Sequence, residues 1–128
     1  MPAVTEDTAV ASDDELMRFA TAYIATSNAL GDAIIILKKL EAETLDPDEL
    51  LSLTIERRAL EDRYARNERN FLAFHAEDIA MHPPSQDEVD AIVDLASQLA
   101  QLTLQKAEAA MVVRLATDAA KKFDEIQG

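Results

Sequence analysis

The chain contains no cysteine and no tryptophan, only two glycines and four prolines, and aromatic residues make up 5% of its 128 positions. Without cysteine there is no disulfide framework, no thiol nucleophile and no thiolate-held zinc or iron–sulfur cluster, and a reducing compartment is compatible with the composition. So few glycines and prolines leave too little turn chemistry for a sandwich or barrel of short strands. Basic charge is scarce as well: 12 Lys and Arg stand against 25 Asp and Glu, a net charge of −13. That balance works against binding to a phosphate backbone or to an anionic membrane surface. No apolar run approaches the ~18 residues of a transmembrane helix. The first fifteen positions hold five acids and no Lys or Arg, whereas a secretory signal opens with basic residues. The expectation is a cytoplasmic protein, with neither nucleic acid nor membrane among its partners.

Aliphatic residues are what the chain has in quantity. Hydrophobic residues are 48% of it, chiefly Ala and Leu, enough to build one helical core. Three tetrapeptides mark helix starts: Ser12-Asp13-Asp14-Glu15, Asp46-Pro47-Asp48-Glu49 and Ser85-Gln86-Asp87-Glu88. Each sets an oxygen-bearing cap three residues before a Glu, so that the two satisfy the unpaired N–H groups of a first turn reciprocally. Pro47 suits a first helical position, and Pro83-Pro84 ends the preceding helix near Met81. Helices are therefore expected at about 13–43, 47–81 and 86–126.

Their apolar spacing agrees. Leu16, Phe19, Tyr23, Thr26, Leu30, Ala33, Leu37 and Leu40 keep an unbroken three-four rhythm, as do Ile92, Leu95, Leu99, Leu102, Lys106, Ala109, Val113, Ala116, Ala120 and Phe123. The middle seam, from Leu50 through Leu53, Leu60, Tyr64, Phe71 and Phe74 to Met81, admits Arg57, Asn67 and Asp78 and calls for polar layers. Short connections make neighbours antiparallel. The expected fold is all-α, an antiparallel up-down-up three-helix bundle of long coiled-coil-like helices, with a flexible acidic tail at 1–11 and a single domain at 12–128. Folding back about the connections sets Phe19, Tyr23, Phe71, Phe74, Ile92 and Leu95 at one height, and Lys106 near Leu30, Asp32, Leu60 and Glu61. There Lys106 is expected to reach Asp32 or Glu61. Gly31 beside it reads as a site of close helix approach, at a propensity cost relative to Ala.

No catalytic motif converges. There is no glycine-rich phosphate loop, no nucleophile elbow and no Glu-x-x-His pair. His75, Asp78 and His82 share a helix face, yet the line lacks a fourth metal ligand. Five of the seven arginines fall between Arg57 and Arg69, but Glu61, Asp62 and Glu68 interleave them. Arg58–Asp62 and Asp62–Arg66 read as i,i+4 pairs of a solvated face rather than as a phosphate-binding stripe. The expectation is a protein that is no enzyme and binds no cofactor or metal.

Two features point to a protein partner. Residues 1–15 and 71–90 each contribute −5, and the expected topology gathers both at one pole. Helix dipoles account for acids in first turns, but not for Glu77 or Asp78. Glu77, Asp78, Asp87 and Asp90 are the candidate docking residues for a basic partner. The second feature is a pair of apolar runs, 33–37 and 109–113, each passing more than once round a helix. In the parallel pairing of the first and third helices they share a height, and Ile35, Ile36 and Met111 turn away from their seams to form an apolar patch. In composition the chain resembles immunity and antitoxin proteins, which occlude a basic toxin. That likeness implies a binding protein that neutralises or chaperones a basic partner by steric occlusion. A helical adaptor that homodimerises through the patch is the alternative.

Overall fold

The computed structural model describes residues 11–74 and 76–127. Five helices carry them: α1 (Asp13–Glu43), α2 (Pro47–Leu72), α3 (Ala76–Met81), α4 (Gln86–Leu102) and α5 (Ala109–Gln127). Helix accounts for 85% of the described residues, with no strand among them. The chain is all-α as expected, but five helices stand where three were expected.

The starts are chemically the expected ones. Ser12 Oγ accepts from the Glu15 N–H at 3.2 Å while Glu15 Oε1 accepts from the Ser12 N–H at 2.8 Å. Ser85 and Glu88 repeat the exchange at 3.1 and 2.8 Å. Asp46 caps α2 differently: its Oδ1 accepts from the Asp48 N–H at 3.0 Å, with Pro47 in the first turn.

The two long C-terminal stretches break for reasons of burial. A straight helix from 47 to 81 turns the seam residues Asp78 and Met81 inward and rotates Ile79 away from Phe71 by about 80°. Ending α2 at Leu72 and restarting at Ala76 reverses this: Ile79 is buried, and Asp78 and Met81 are exposed. The third expected helix, 86–126, stops at Leu102 and resumes at Ala109. With Asp32 facing Ala100, Leu102 stands level with about residue 34 of α1. Continuing straight would carry roughly 15 residues, some 22 Å of helix, past the end of α1 with no partner. Folding back instead buries Val112, Leu115, Ala116, Ala119, Ala120, Phe123 and Ile126.

The result is a bundle in which α1 packs against α2, α4 and α5. Arg18 Nε donates to the Pro84 carbonyl at 2.9 Å, and Ile24 and Asp32 face Val93 and Ala100, so α1 and α4 run parallel. The rings of Phe19 and Phe123 meet, as do those of Tyr23 and Phe71, so α2 and α5 run the other way. One core cluster joins Ala29, Leu30, Ala33, Ile36 and Leu37 to Leu53, Leu60, Leu99, Val112 and Leu115. The other, toward the N-terminal end of α1, joins Phe19, Ala22 and Ala25 to Ile79, Val89, Ile92, Phe123 and Ile126. Phe19, Tyr23, Phe71 and Phe74 meet at the expected height, and Phe123 joins them because α5 returns to that end. Leu95 packs instead against the first cluster.

Several local expectations are corrected. Lys106 lies exposed in the α4–α5 loop, and Lys38 is the lysine that approaches Glu61, at 3.9 Å. A Cβ on Gly31 meets only Tyr64 Cε2, at an ordinary 4.0 Å, so no close helix approach requires glycine there. Arg58–Asp62 and Asp62–Arg66 are not among the ion pairs of the described residues. The arginines pair across helices instead, Arg57 with Glu41 and Arg63 with Asp124, while Arg57 also takes Glu61. The polar layer of α2 is Asn67, buried with its Nδ2 unpartnered. Residues 1–10 of the expected tail lie outside the described residues, and Ala11 is buried rather than free. Contrary to the reading of its runs, α1 is long and apolar enough by length and composition to cross a membrane, and 44% of its apolar window is buried in the bundle.

Candidate functional site

Capping chemistry and a packed helix end bring the acidic residues together. The first turns of α1 and α4 share one end of the bundle, where Asp14, Arg18, Gln86 and Val89 line a shallow groove, and α3 packs across the same end of α1. Glu77 and Asp78 on α3 and Asp87 and Asp90 on α4 are all exposed there. Contrary to the expectation from one long helix, Glu77 and Asp78 stand in the first turn of α3, where the helix dipole favours acids as it does for Asp87. Their duties differ. Asp90 Oδ1 accepts from Gln86 Nε2 at 2.9 Å, and Glu15 and Glu88 are held in capping boxes. Asp13, Asp14, Glu77 and Asp87 have no ion-pair partner among the described residues.

The back-folded α5 modifies this pole. It delivers Lys121 and Lys122 to the same end together with Asp124 and Glu125, so the helix adds no net charge there while it brings in cations that a three-helix rod places elsewhere.

The apolar patch survives only in part. Ile35 is 50% exposed and Met111 43%, but Ile36 is 5% exposed and belongs to the core. The correction has a simple cause. Ile36 shares its helix face with Ala22, Ala25 and Ala29, all buried, because α1 is covered on more sides than a rod of three helices covers it. The runs 33–37 and 109–113 do meet, through Ala33, Ile36, Leu37 and Val112 in one cluster, while Ile35, Ala110 and Met111 stay exposed.

A hollow absent from the sequence reading opens beside the acidic pole. Leu16, Phe19, Phe71, Leu72, Phe74 and Ile79 surround about 310 Å³, with Ala20 on its α1 side. Its lining comes from α1, from the last residues of α2, from Phe74 in the α2–α3 connection and from Ile79 of α3. The exposure of Leu16 and Leu72, both apolar at a bundle end, is the trace it leaves in the structure. A larger hollow, about 480 Å³, lies at the opposite end between the last turn of α1 and the α4–α5 loop, where Lys39, Glu43 and Lys106 make it mixed in character.

For metal chemistry, His75 falls outside the described residues. Among the described residues no group of three or more His, Asp or Glu is placed to hold an ion. Burial pushes the Asp32 carboxyl above the usual Asp range, on the α1–α4 groove. The hydrogen bond from Arg57 holds Glu41 below the usual Glu range. The two groups stand on different faces of α1 and do not form a catalytic pair. Compared with known proteins, the chain matches no family model, no curated protein and no solved structure.

Proposed function

We propose that this chain is a non-enzymatic, cytoplasmic binding protein that neutralises or chaperones a basic protein partner by covering it, in the manner of an immunity protein or antitoxin. The observation that carries the reading is the set of exposed acids at one end of the bundle, Asp13, Asp14, Glu77 and Asp87, without ion-pair partners among the described residues. Carboxylates left unpaired on a rigid helix end raise the encounter rate with a cationic surface and disfavour acidic competitors. The test is association kinetics. The partner is recovered from the native lysate on the immobilised chain and identified. Its on-rate is then followed against ionic strength for the wild type and for a chain with Glu77, Asp78, Asp87 and Asp90 all changed to Lys. A slower on-rate and a flatter salt dependence are expected. An unchanged on-rate at low salt returns these acids to helix capping alone.

A second reading is a homodimeric adaptor. It rests on Ile35 and Met111, two large apolar side chains about half exposed on neighbouring stretches of α1 and α5. Sedimentation of the purified chain separates the two readings: a stable dimer without a basic companion favours the adaptor.

A further inference from the structure

The hollow between α1, α2 and α3 has a character that neither feature has alone. Its walls are aromatic and aliphatic, yet each of the three helices that form it carries exposed acids close by. Asp13 stands one turn before Leu16 on α1, Glu68 stands one turn before Phe71 and Leu72 on α2, and Glu77 lies in the first turn of α3, the helix that supplies Ile79. Cations stand at this end as well, Arg69 one turn before Leu72 and Lys121 and Lys122 on α5, but the exposed acids outnumber them. Leu72 is 76% exposed at the lip and extends the apolar walls outward.

We propose that this hollow is where the partner docks, by inserting one or two aliphatic or aromatic side chains from a basic amphipathic helix. The inference rests on the binding-protein reading and specifies its partner. Apolar walls of this size, at the lower end of what binding cavities enclose, accept an anchor rather than a whole ligand. Helix-in-groove recognition supplies such anchors at i, i+3 and i+4. Lys and Arg on the flanks of the same helix then lie opposite Asp13, Glu68 and Glu77, where an acidic or neutral helix gains nothing. Burial of the anchor gives affinity, and the acid rim gives selection.

The experiment uses the full chain and a fluorescein-labelled leucine–lysine peptide patterned as an amphipathic helix, with a scrambled peptide of the same composition as control. Leu72→Gln and Ala20→Phe remove the lip and fill the hollow without changing charge; Asp13→Asn, Glu68→Gln and Glu77→Gln lower the charge without touching the walls. Tighter binding of the patterned peptide, weakened about tenfold by either hollow variant with the circular dichroism spectrum unchanged, is the expected result. If both peptides bind alike and only the charge variants weaken them, the hollow is not the docking site, and the acidic-pole reading stands. If neither peptide binds at low ionic strength, both fall. A dimer that Leu72→Gln dissociates would assign the hollow to a second copy of the chain and overturn the basic partner.

Discussion

Arg57 of α2 grips Glu41 of α1 with two guanidinium nitrogens, Nε and Nη2, while Nη1 donates to Glu61 at 2.9 Å and Thr54 donates its hydroxyl to Glu41 at 2.9 Å. This fork ties the first turns of α2 to the last turns of α1, where the side chains of both partners are mostly shielded from solvent. Because Glu41 is held below the ordinary Glu range, the folded state binds its proton less tightly than the unfolded state does. Its stabilisation is therefore complete above the unfolded value and is lost as pH falls through the folded one. Glu41→Gln is expected to lower the melting temperature at neutral pH, and the difference from wild type should disappear in strong acid. Equal destabilisation at both pH values would show that the contact acts through shape rather than charge.

Asp32 carries the opposite sign. Burial on the α1–α4 groove raises its pKa, and no cation pairs with it among the described residues. The folded state here binds the proton more tightly, so stability declines as pH rises through the window between the unfolded and the raised value. Asp32→Asn should melt higher than wild type at neutral pH and indistinguishably from it below that window. Thermal melts across a pH series read both predictions from one set of samples.

Phe123 is fully buried, with its ring 5.5 Å from that of Phe19 and 6.1 Å from that of Tyr23. Phe123→Ala removes the one aromatic that α5 supplies to the cluster and leaves a cavity between two helices, so it should cost about 3–5 kcal/mol in denaturant unfolding. The comparison variant is Tyr64→Ala, on the half-exposed face of α2, where the loss should be well below that. If the two cost the same, α5 is not docked on α1 as described.

Gly31 offers a gain. It sits inside α1, and a methyl group there meets only the far edge of Tyr64 at 4.0 Å. Gly31→Ala should stabilise the chain by about 0.5–1 kcal/mol, through helix propensity and the smaller entropy of the unfolded state. A loss on urea unfolding would mean that α1 and α2 approach more closely in solution.

How much of this the sequence carries is clear residue by residue. Ser12 with Glu15 and Ser85 with Glu88 are local chemistry, complete within four positions, and the structure forms both as read. The meeting of Phe19, Tyr23, Phe71 and Phe74 follows from one short connection and helical rise. The break at 103–108 has no strong local signal: no proline or glycine marks it, and the three-four rhythm runs straight through Lys106. What decides it is the length of α1, a non-local quantity, since helix beyond the end of α1 has nothing to pack on. The error propagates, because Ile36 faces outward only on a rod of three helices, whereas the returning α5 brings Val112 into its cluster. The hollow was hidden for the same reason: Leu16, Leu72 and Ile79 come from three helices and converge only once α2 has broken.

The outward reading of Ile35 and the inward reading of Ile36 differ by one residue and 100° of helix rotation, and this makes them a sharp pair of probes. Ile35→Asp places a charge where half the side chain already meets water, so the monomer should keep its circular dichroism spectrum and most of its stability. Ile36→Asp buries a charge among Ala33, Leu37 and Val112 with no cation in that cluster, and the chain should lose its cooperative fold. If Ile35→Asp folds and abolishes a dimer seen for wild type by sedimentation, Ile35 and Met111 belong to a homodimer face and the adaptor reading gains. If it folds and leaves the assembly state untouched, the exposed pair is ordinary surface, and recognition has to be sought at the acidic end.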